Sequence, residues 1–256
     1  MIASTPPRPL AIAHRGGALL APENTAQAFR AAALAGADAV ETDIRLTRDG
    51  ALVCVHDADL RRLCGDPRAV ADLDLTTLRR LLPPVMTLAE AIGASAPLGL
   101  LLDVKRMEPE VLPPILAAVQ AAEAGPRTLL GLRDFGLIAT ARALAPTAII
   151  LAFAADPDSA AAARAAGADW FRLWQGDATA ERSAAVRAAG LRLAVMVGQP
   201  RSVPLPGYPP FPVGGIDRDG LDRIRALAPD AILLDDPRLL AGKTQPPAAP
   251  PPQAGP

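Results

Sequence analysis

Two histidines, the only ones in the chain, each follow a short apolar run. His14 follows Leu10–Ala13 in the segment AHRGG, and His56 follows Leu52–Val55 in the segment VCVHDAD. The unperturbed pKa of a histidine side chain, about 6.5, suits proton transfer near neutral pH. The two histidines are therefore candidates for a general acid and a general base. The alternative interpretation is that both are structural residues at the ends of strands.

Three acidic side chains occur on two further apolar runs. Glu41 and Asp43 are two residues apart in AVETDIRL, so their carboxylates point to the same side of a strand. Asp103 occurs late in LGLLLDVK, with Lys105 two residues further on. Three carboxylates at strand ends suit a hard divalent cation such as Mg²⁺ or Ca²⁺. A structural ion network in which Glu41 and Asp103 pair with Lys105 and Arg15 is an equally compatible interpretation.

A glycine-containing turn and a helix start follow the first histidine. Arg15 precedes Gly16-Gly17, and an arginine beside such open backbone suits a pair of phosphate oxygens. Asn24 or Thr25 is expected to cap the helix that begins in AQAFRAAALAG. Proton-transfer groups, acids for a hard metal and two cations together indicate chemistry at a phosphate ester. The dinucleotide, P-loop and serine-hydrolase motifs are missing from the sequence.

Nine apolar runs alternate with alanine-rich helical patterns, which is typical of βα units and a parallel sheet. The runs are Leu10–Ala13, Ala39–Ile44, Leu52–Val55, Leu98–Val104, Thr128–Leu132, Ala148–Phe153, Trp170–Leu173, Leu191–Val197 and Ala231–Leu234. An α/β fold, a single-domain (β/α)8 TIM barrel, fits this count and the length of 256 residues best. Asp49-Gly50 joins the second and third runs by a tight turn, so one of them is expected to be an accessory strand or a barrel strand without its helix. A doubly wound open sheet is the alternative, because the alternation of strands and helices does not show whether the sheet closes into a barrel.

The alternation of apolar runs with helical patterns is interrupted after the second histidine motif. Between about residues 57 and 89 we expect a short loop-rich excursion with a helical piece near Thr76–Leu82. Later in the chain, a proline-rich loop at residues 203–212 follows the eighth run. On a barrel this loop would rise at the active-site face, either as a lid or headgroup contact or as a stiff spacer.

The composition of the chain argues against several classes of protein. With 50% hydrophobic residues and a net charge of −1, the chain can form a core but lacks the basic excess that nucleic-acid binding requires. Cys54 and Cys64 do not make a disulfide framework, and neither a membrane span nor a signal peptide is visible. We therefore expect a cytoplasmic domain at residues 9–242, between a flexible N-terminus at 1–8 and a disordered Pro-rich tail at 243–256.

Three segments resemble, in order and spacing, the N-terminal half of the glycerophosphodiester phosphodiesterase family. They read AHRGG, PENTAQAF and AVETDIRLTRDGALVCVHDADLRRL, and a weaker similarity continues through TLAEAI and LLDVKR. The family is related in architecture to phosphatidylinositol-specific phospholipase C and sphingomyelinase D barrels. The resemblance implies a TIM barrel that hydrolyses glycerophosphodiesters, which are deacylated phospholipids, to sn-glycerol 3-phosphate and an alcohol. It also implies a divalent cation, Mg²⁺ or Ca²⁺, as cofactor, and a place in lipid and glycerol metabolism.

The same resemblance implies a role for each matching residue. The implied site has three metal ligands, two acid–base histidines, two phosphate-binding cations and two residues that line or brace the pocket. In that order they are Glu41, Asp43 and Asp103; His14 and His56; Arg15 and Lys105; and Glu23 and Asn24. In the implied mechanism the glycerol 2-hydroxyl attacks phosphorus and gives a cyclic phosphate, which water then opens. One histidine takes a proton in each step while the other gives one, and the resemblance does not say which.

Three features depart from the family pattern. The third metal ligand is usually Glu and is Asp103 here, as in the related sphingomyelinase D enzymes. Val195-Met196-Val197 stands where many members have Trp-Thr-Val, and the excursion lacks the usual threonine pair and glycine repeat. These departures concern substrate choice, so the alternative function is a lysophospholipase D or cyclising phosphodiesterase acting on lysophospholipids. A remote alternative is a non-catalytic barrel that binds phosphodiesters.

Overall fold

The computed structural model describes residues 8–198 and 214–240. The strands in these ranges are β1 (Leu10–Ala13), β2 (Ala39–Leu46), β3 (Leu52–Cys54), β4 (Asp59–Leu60), β5 (Asp66–Ala69), β6 (Gly99–Val104), β7 (Thr128–Leu132), β8 (Ile149–Ala152), β9 (Trp170–Trp174), β10 (Arg192–Met196) and β11 (Ala231–Leu234). Eight of them pair in parallel in the order β1-β2-β6-β7-β8-β9-β10-β11, and the pairing of β11 with β1 closes the ring. The predicted (β/α)8 barrel is therefore confirmed, and the open sheet is excluded.

Helices follow most barrel strands and cover the outside of the ring. They are α1 (Ala26–Leu34), α2 (Arg61–Cys64), α3 (Leu75–Leu81), α4 (Leu88–Ser95), α5 (Leu112–Ala121), α6 (Phe135–Leu144), α7 (Ala160–Ala166), α8 (Ala180–Ala188) and α9 (Arg218–Ala226). Side-chain caps fix where several begin: Thr25 accepts from the Ala28 amide, and Thr87 forms a capping box with Glu90. In the part of the chain that the structure describes, no helix is long and apolar enough to cross a bilayer.

Alternate strand residues point into the barrel, and their chemistry changes along each strand. One apolar cluster in the interior consists of Leu10, Ile12, Ala39, Leu101, Leu129, Leu151, Phe153, Trp170, Ala194, Met196, Ala231 and Leu233. On β2, the next residues of the same parity after Ala39 are Glu41 and Asp43. On β6, Leu101 is followed by Asp103. The interior therefore turns polar toward the carboxyl ends of the strands, where the active sites of such barrels lie.

The nine predicted runs all form strands, with ends within two residues of the prediction. The third run is β3, which pairs antiparallel with β2 outside the ring and is the expected accessory strand. The excursion is more regular than predicted: β4 and β5 pair antiparallel around α2, and α3 lies where the helical piece was expected. The sequence did not indicate β4 and β5 because their residues, DL and DPRA, contain no apolar run.

The predicted terminal and loop segments are only partly within the described residues. Of the N-terminal segment 1–8, Arg8 is described, and it pairs with Asp38. The proline-rich loop at 203–212 and the tail at 243–256 lie outside the described residues. The domain boundaries at 9 and 242 stay predictions.

Candidate active site

His14 lies directly after β1 and is held by an acid from the other end of the chain. Its ring Nδ1 is 2.6 Å from Oδ1 of Asp235, the residue after β11, and its Nε2 is 3.9 Å from Oε2 of Glu41. Burial lowers the pKa of His14, but the hydrogen bond with Asp235 and the charges of both acids outweigh it. The pKa of His14 is therefore raised above its usual value. The sequence analysis missed Asp235, whose only signal is an acidic residue directly after a predicted strand.

Glu41, Asp43 and Asp103 form a buried carboxylate cluster. One oxygen of each lies within 4.8 Å of the others, and the parallel register places Asp43 opposite Asp103. Burial and the charge of Asp43 raise the pKa of Glu41 to about 8. Burial also disfavours the charge on Asp43, but Lys105 outweighs it and holds the pKa of Asp43 well below its usual range. Three convergent oxygen donors with no thiol or imidazole among them fit a hard divalent cation.

The raised pKa of Glu41 predicts a pH-dependent stability in the cation-free protein. Glu41 ionises near 4.5 in the unfolded chain and near 8 in the folded one. Between these values the folded state holds the extra proton, so the contribution of Glu41 to stability is complete below pH 4.5 and is lost as the pH rises toward 8. Glu41→Gln removes this loss, so its Tm relative to wild type should increase from pH 5 to pH 8 in calorimetry with chelator. An equal Tm difference at both pH values would contradict the raised pKa.

Two basic side chains form ion pairs with carboxylates of the acidic cluster. Lys105 Nζ is 2.7 Å from Oδ1 of Asp43 and 2.5 Å from Oδ2 of Asp103. Arg133, which follows β7, pairs with both oxygens of Asp103. Of the ion network that the sequence allowed, the pair of Lys105 with Asp103 is thus present, while Glu41 accepts from the backbone amide of Arg15. Arg133 was missed in the sequence, where it is one arginine after an apolar run.

Arg15 and Asn24 both take up left-handed backbone conformations at the edge of this cluster, with φ of 51° and 57°. The Arg15 amide donates to Oε2 of Glu41 at 2.7 Å, and its guanidinium donates to Glu23 at 3.0 Å. Asn24 donates its side-chain amide to Oδ2 of Asp43 at 2.8 Å. The predicted bracing role of Glu23 and Asn24 therefore has a geometric basis, and Thr25 rather than Asn24 is the helix cap.

His56 lies two residues after β3 and close enough to Asp43 to be affected by its charge. Its Nδ1 is 2.7 Å from Oδ1 of Asp57, and its carbonyl oxygen accepts two hydrogen bonds from Arg45. Burial lowers the pKa of His56 to about 4, although the charge of Asp43 acts in the opposite direction. The ring is therefore neutral near pH 7. Because Asp57 accepts the Nδ1 proton, we assign the free lone pair to Nε2.

Two arginines and two aromatic side chains lie together at the carboxyl ends of β7, β8 and β9. The guanidinium groups of Arg133 and Arg172 each lie 5.4 Å from the centre of the Phe153 ring, and that of Arg172 lies 4.6 Å from Trp174. Trp170 is buried in the barrel interior. Gly131 makes room for Phe153, because a Cβ at residue 131 would lie 2.2 Å from the Phe153 ring. An aromatic wall thus exists here, while β10 carries Val195 and Met196 instead of a tryptophan.

Curated relatives match a short stretch of this chain. A "Probable glycerophosphodiester phosphodiesterase 1" of Mycobacterium tuberculosis is 48% identical over 73 residues, which is 28% of this chain and 27% of that protein. A "Glycerophosphodiester phosphodiesterase" of Caldanaerobacter subterraneus is 43% identical over 72 residues, 28% of this chain and 30% of the relative. The matched region therefore spans less than a third of the length of each of these relatives.

Solved structures match nearly the whole fold. A putative glycerophosphodiester phosphodiesterase from Galdieria sulphuraria has a TM-score of 0.77 and 21% identity, covering 91% of this chain and 96% of the other. An Oleispira antarctica phosphodiesterase in complex with the product sn-glycerol-3-phosphate has a TM-score of 0.75 and 22% identity, covering 91% and 95%. The model of the glycerophosphoryl diester phosphodiesterase family matches residues 14–201, well over half of the sequence. The chain belongs to the glycerophosphoryl diester phosphodiesterase family.

Proposed function

We propose that this protein is a metal-dependent phosphodiesterase that hydrolyses glycerophosphodiesters to sn-glycerol 3-phosphate and an alcohol. The observation that carries the proposal is a pair of histidines, each hydrogen-bonded through Nδ1 to an aspartate, beside one buried carboxylate cluster. The pKa shifts of the two histidines, raised for His14 and lowered for His56, agree with it. The names of the relatives and the product in the Oleispira antarctica structure support the same class of substrate.

Glu41, Asp43 and Asp103 would hold the divalent cation, Mg²⁺ or Ca²⁺. When bound, such a cation supplies positive charge that stabilises the charge developing on the phosphoryl oxygens. Lys105 and Arg15 add fixed positive charge at the same end of the barrel and are the proposed phosphate contacts. Lys105 stays protonated there: burial disfavours its charge, but Asp103 and Asp43 together raise its pKa.

The two histidines divide the proton transfers. His56 is neutral near pH 7, so its Nε2 takes the proton of the glycerol 2-hydroxyl as that oxygen attacks phosphorus. His14, whose pKa is raised, gives a proton to the departing alcohol oxygen as the bond from phosphorus to that oxygen breaks. The product of this step is a five-membered cyclic phosphate. Water then attacks phosphorus with His14 as the base, and protonated His56 returns its proton to the glycerol 2-oxygen.

A single ³¹P NMR experiment tests the proposed activity. The sample contains glycerophosphocholine, glycerophosphoethanolamine, glycerophosphoglycerol and lysophosphatidylcholine with Mg²⁺ and Ca²⁺, and a second sample adds chelator. We expect a growing sn-glycerol 3-phosphate signal that is lost with chelator. Accumulating lysophosphatidate or a cyclic lysophosphatidate would assign the protein to the lysophospholipid alternative. Unchanged signals for all four compounds would contradict a phosphodiesterase of either kind.

A further inference from the structure

An arginine on α2 connects the two loops that carry His56 and Arg15. Arg62 donates its Nε hydrogen to Oδ2 of Asp57 at 2.6 Å. Its two terminal nitrogens donate to the two oxygens of Glu23 at 2.9 and 2.6 Å. Asp57 uses its other oxygen for His56, and Glu23 also accepts from the Arg15 guanidinium. One guanidinium thus contacts both the carboxylate that orients His56 and the carboxylate that holds Arg15.

We propose that Arg62 is a positioning residue that sets the orientation of His56 and Arg15 together, and the proposal rests on the function proposed above. Side-chain exposure falls along the connection, from 38% at Arg62 through 23% at Asp57 and 11% at Glu23 to 2% at Arg15. The planar guanidinium has five donors in a fixed arrangement, so it can bind two carboxylates at once. A lysine ammonium is a single compact charge and cannot reproduce that double contact.

The excursion gives Arg62 a rigid base. The antiparallel pairing of β4 with β5 brackets α2, and Gly65 ends the helix with a φ of 77° in the left-handed region. Leu60, directly before α2, is fully buried in a separate apolar cluster of the excursion. The β4–β5 pairing and the packing of Leu60 therefore hold the backbone on both sides of Arg62. This gives a functional reason for regular structure in a segment that the barrel itself does not need.

The hydrogen bond from Arg62 to Asp57 matters because it determines which oxygen of the Asp57 carboxylate faces His56. With Oδ2 bound to Arg62, Oδ1 remains directed at Nδ1 of His56. That contact holds the tautomer in which Nε2 carries the free lone pair, and partners of this kind affect activity strongly although they do not touch the substrate. Without Arg62, the partly exposed Asp57 carboxylate can turn toward water. Glu23 would likewise lose the two hydrogen bonds that the Arg62 guanidinium donates to it.

The test compares Arg62→Ala and Arg62→Lys with Arg61→Ala. Arg61 is the neighbouring residue on α2, its side chain is 71% exposed, and its ion pair with Asp59 has a distance of 3.9 Å. Imidazole ¹⁵N NMR spectra of the Mg²⁺-loaded full chain give an activity-independent measurement, because the chain has two histidines and His14 is an internal reference. We expect Arg62→Ala to change the tautomer balance of His56 and leave His14 and the Arg61→Ala spectra unchanged.

Kinetics provide the second measurement. We expect Arg62→Ala to lower kcat/KM on the glycerophosphodiester that the wild type prefers by about 10- to 100-fold, with losses in kcat through His56 and in KM through Arg15. Arg62→Lys retains the positive charge and replaces the alanine variant if that one does not fold. Relative to the alanine variant, it should restore at most one of the two parameters, kcat or KM. A wild-type His56 spectrum in Arg62→Ala, or wild-type kinetics in Arg62→Lys, would overturn the proposal. If the wild type turns over no glycerophosphodiester, the proposed function fails, and the NMR result still decides whether Arg62 orients His56.

Discussion

Replacing His14 or His56 by alanine is expected to lower kcat on glycerophosphodiesters by about two to four orders of magnitude, the usual size of acid–base contributions. The two variants should differ when the leaving group changes. A glycerophosphodiester whose alcohol is 4-nitrophenol needs no proton on the departing oxygen. We therefore expect this substrate to restore much of the first-step rate in His14→Ala and little in His56→Ala. Release of nitrophenolate, followed by absorbance, measures the first step directly.

The comparison has internal controls, because each histidine variant is the control for the other. Both should keep the cation-dependent rise in Tm of the wild type, which shows that the carboxylate cluster is intact. Equal recovery of the two variants with the nitrophenyl substrate would contradict the assignment of His56 as base and His14 as acid. Near-native turnover in either variant on an ordinary glycerophosphodiester would contradict paired-histidine catalysis.

The sequence predicted the strands well because buried parallel strands appear as continuous apolar runs. It did not show closure, because the pairing of β1 with β11 joins residues such as Leu10 and Ala231 from opposite ends of the chain. Asp235 escaped notice for the same reason, since 221 positions separate it from His14. Local patterns identify the residue types that do chemistry. The partners that orient them come from distant strand ends, which only the folded barrel brings together.

The three acids of the cluster, in contrast, were recognisable in the sequence because they lie on the predicted strands themselves. Glu41 and Asp43 share one strand, and Asp103 lies in register on the neighbouring strand. The sequence predicted that these acids meet but left open whether a cation or an ion network neutralises them. The structure contains the cluster and the contacts of Lys105 with it. Measurement of cation binding is therefore the observation that separates the two interpretations.

Asp43→Asn is expected to abolish most cation binding and, with it, turnover. Asp43 stays ionised because Lys105 holds its pKa low despite burial, so the substitution removes one full negative charge from the cluster. A cation at about 100 times its Kd stabilises the folded wild type by about 2.7 kcal/mol. For a chain of this size that corresponds to a Tm increase of about 5–10 °C. Thermal unfolding with and without Mg²⁺ or Ca²⁺ measures this shift, and the asparagine variant should lose most of it.

The matched control for this charge change is Asp59→Asn, an acid on β4 whose side chain is 40% exposed and whose partner Arg61 lies 3.9 Å away. Its Tm shift with cation should equal that of the wild type, because Asp59 is outside the carboxylate cluster. A full shift in Asp43→Asn would mean that the cation binds elsewhere. The buried acids would then be a structural ion network around Lys105, and metal dependence would have to be removed from the proposed function.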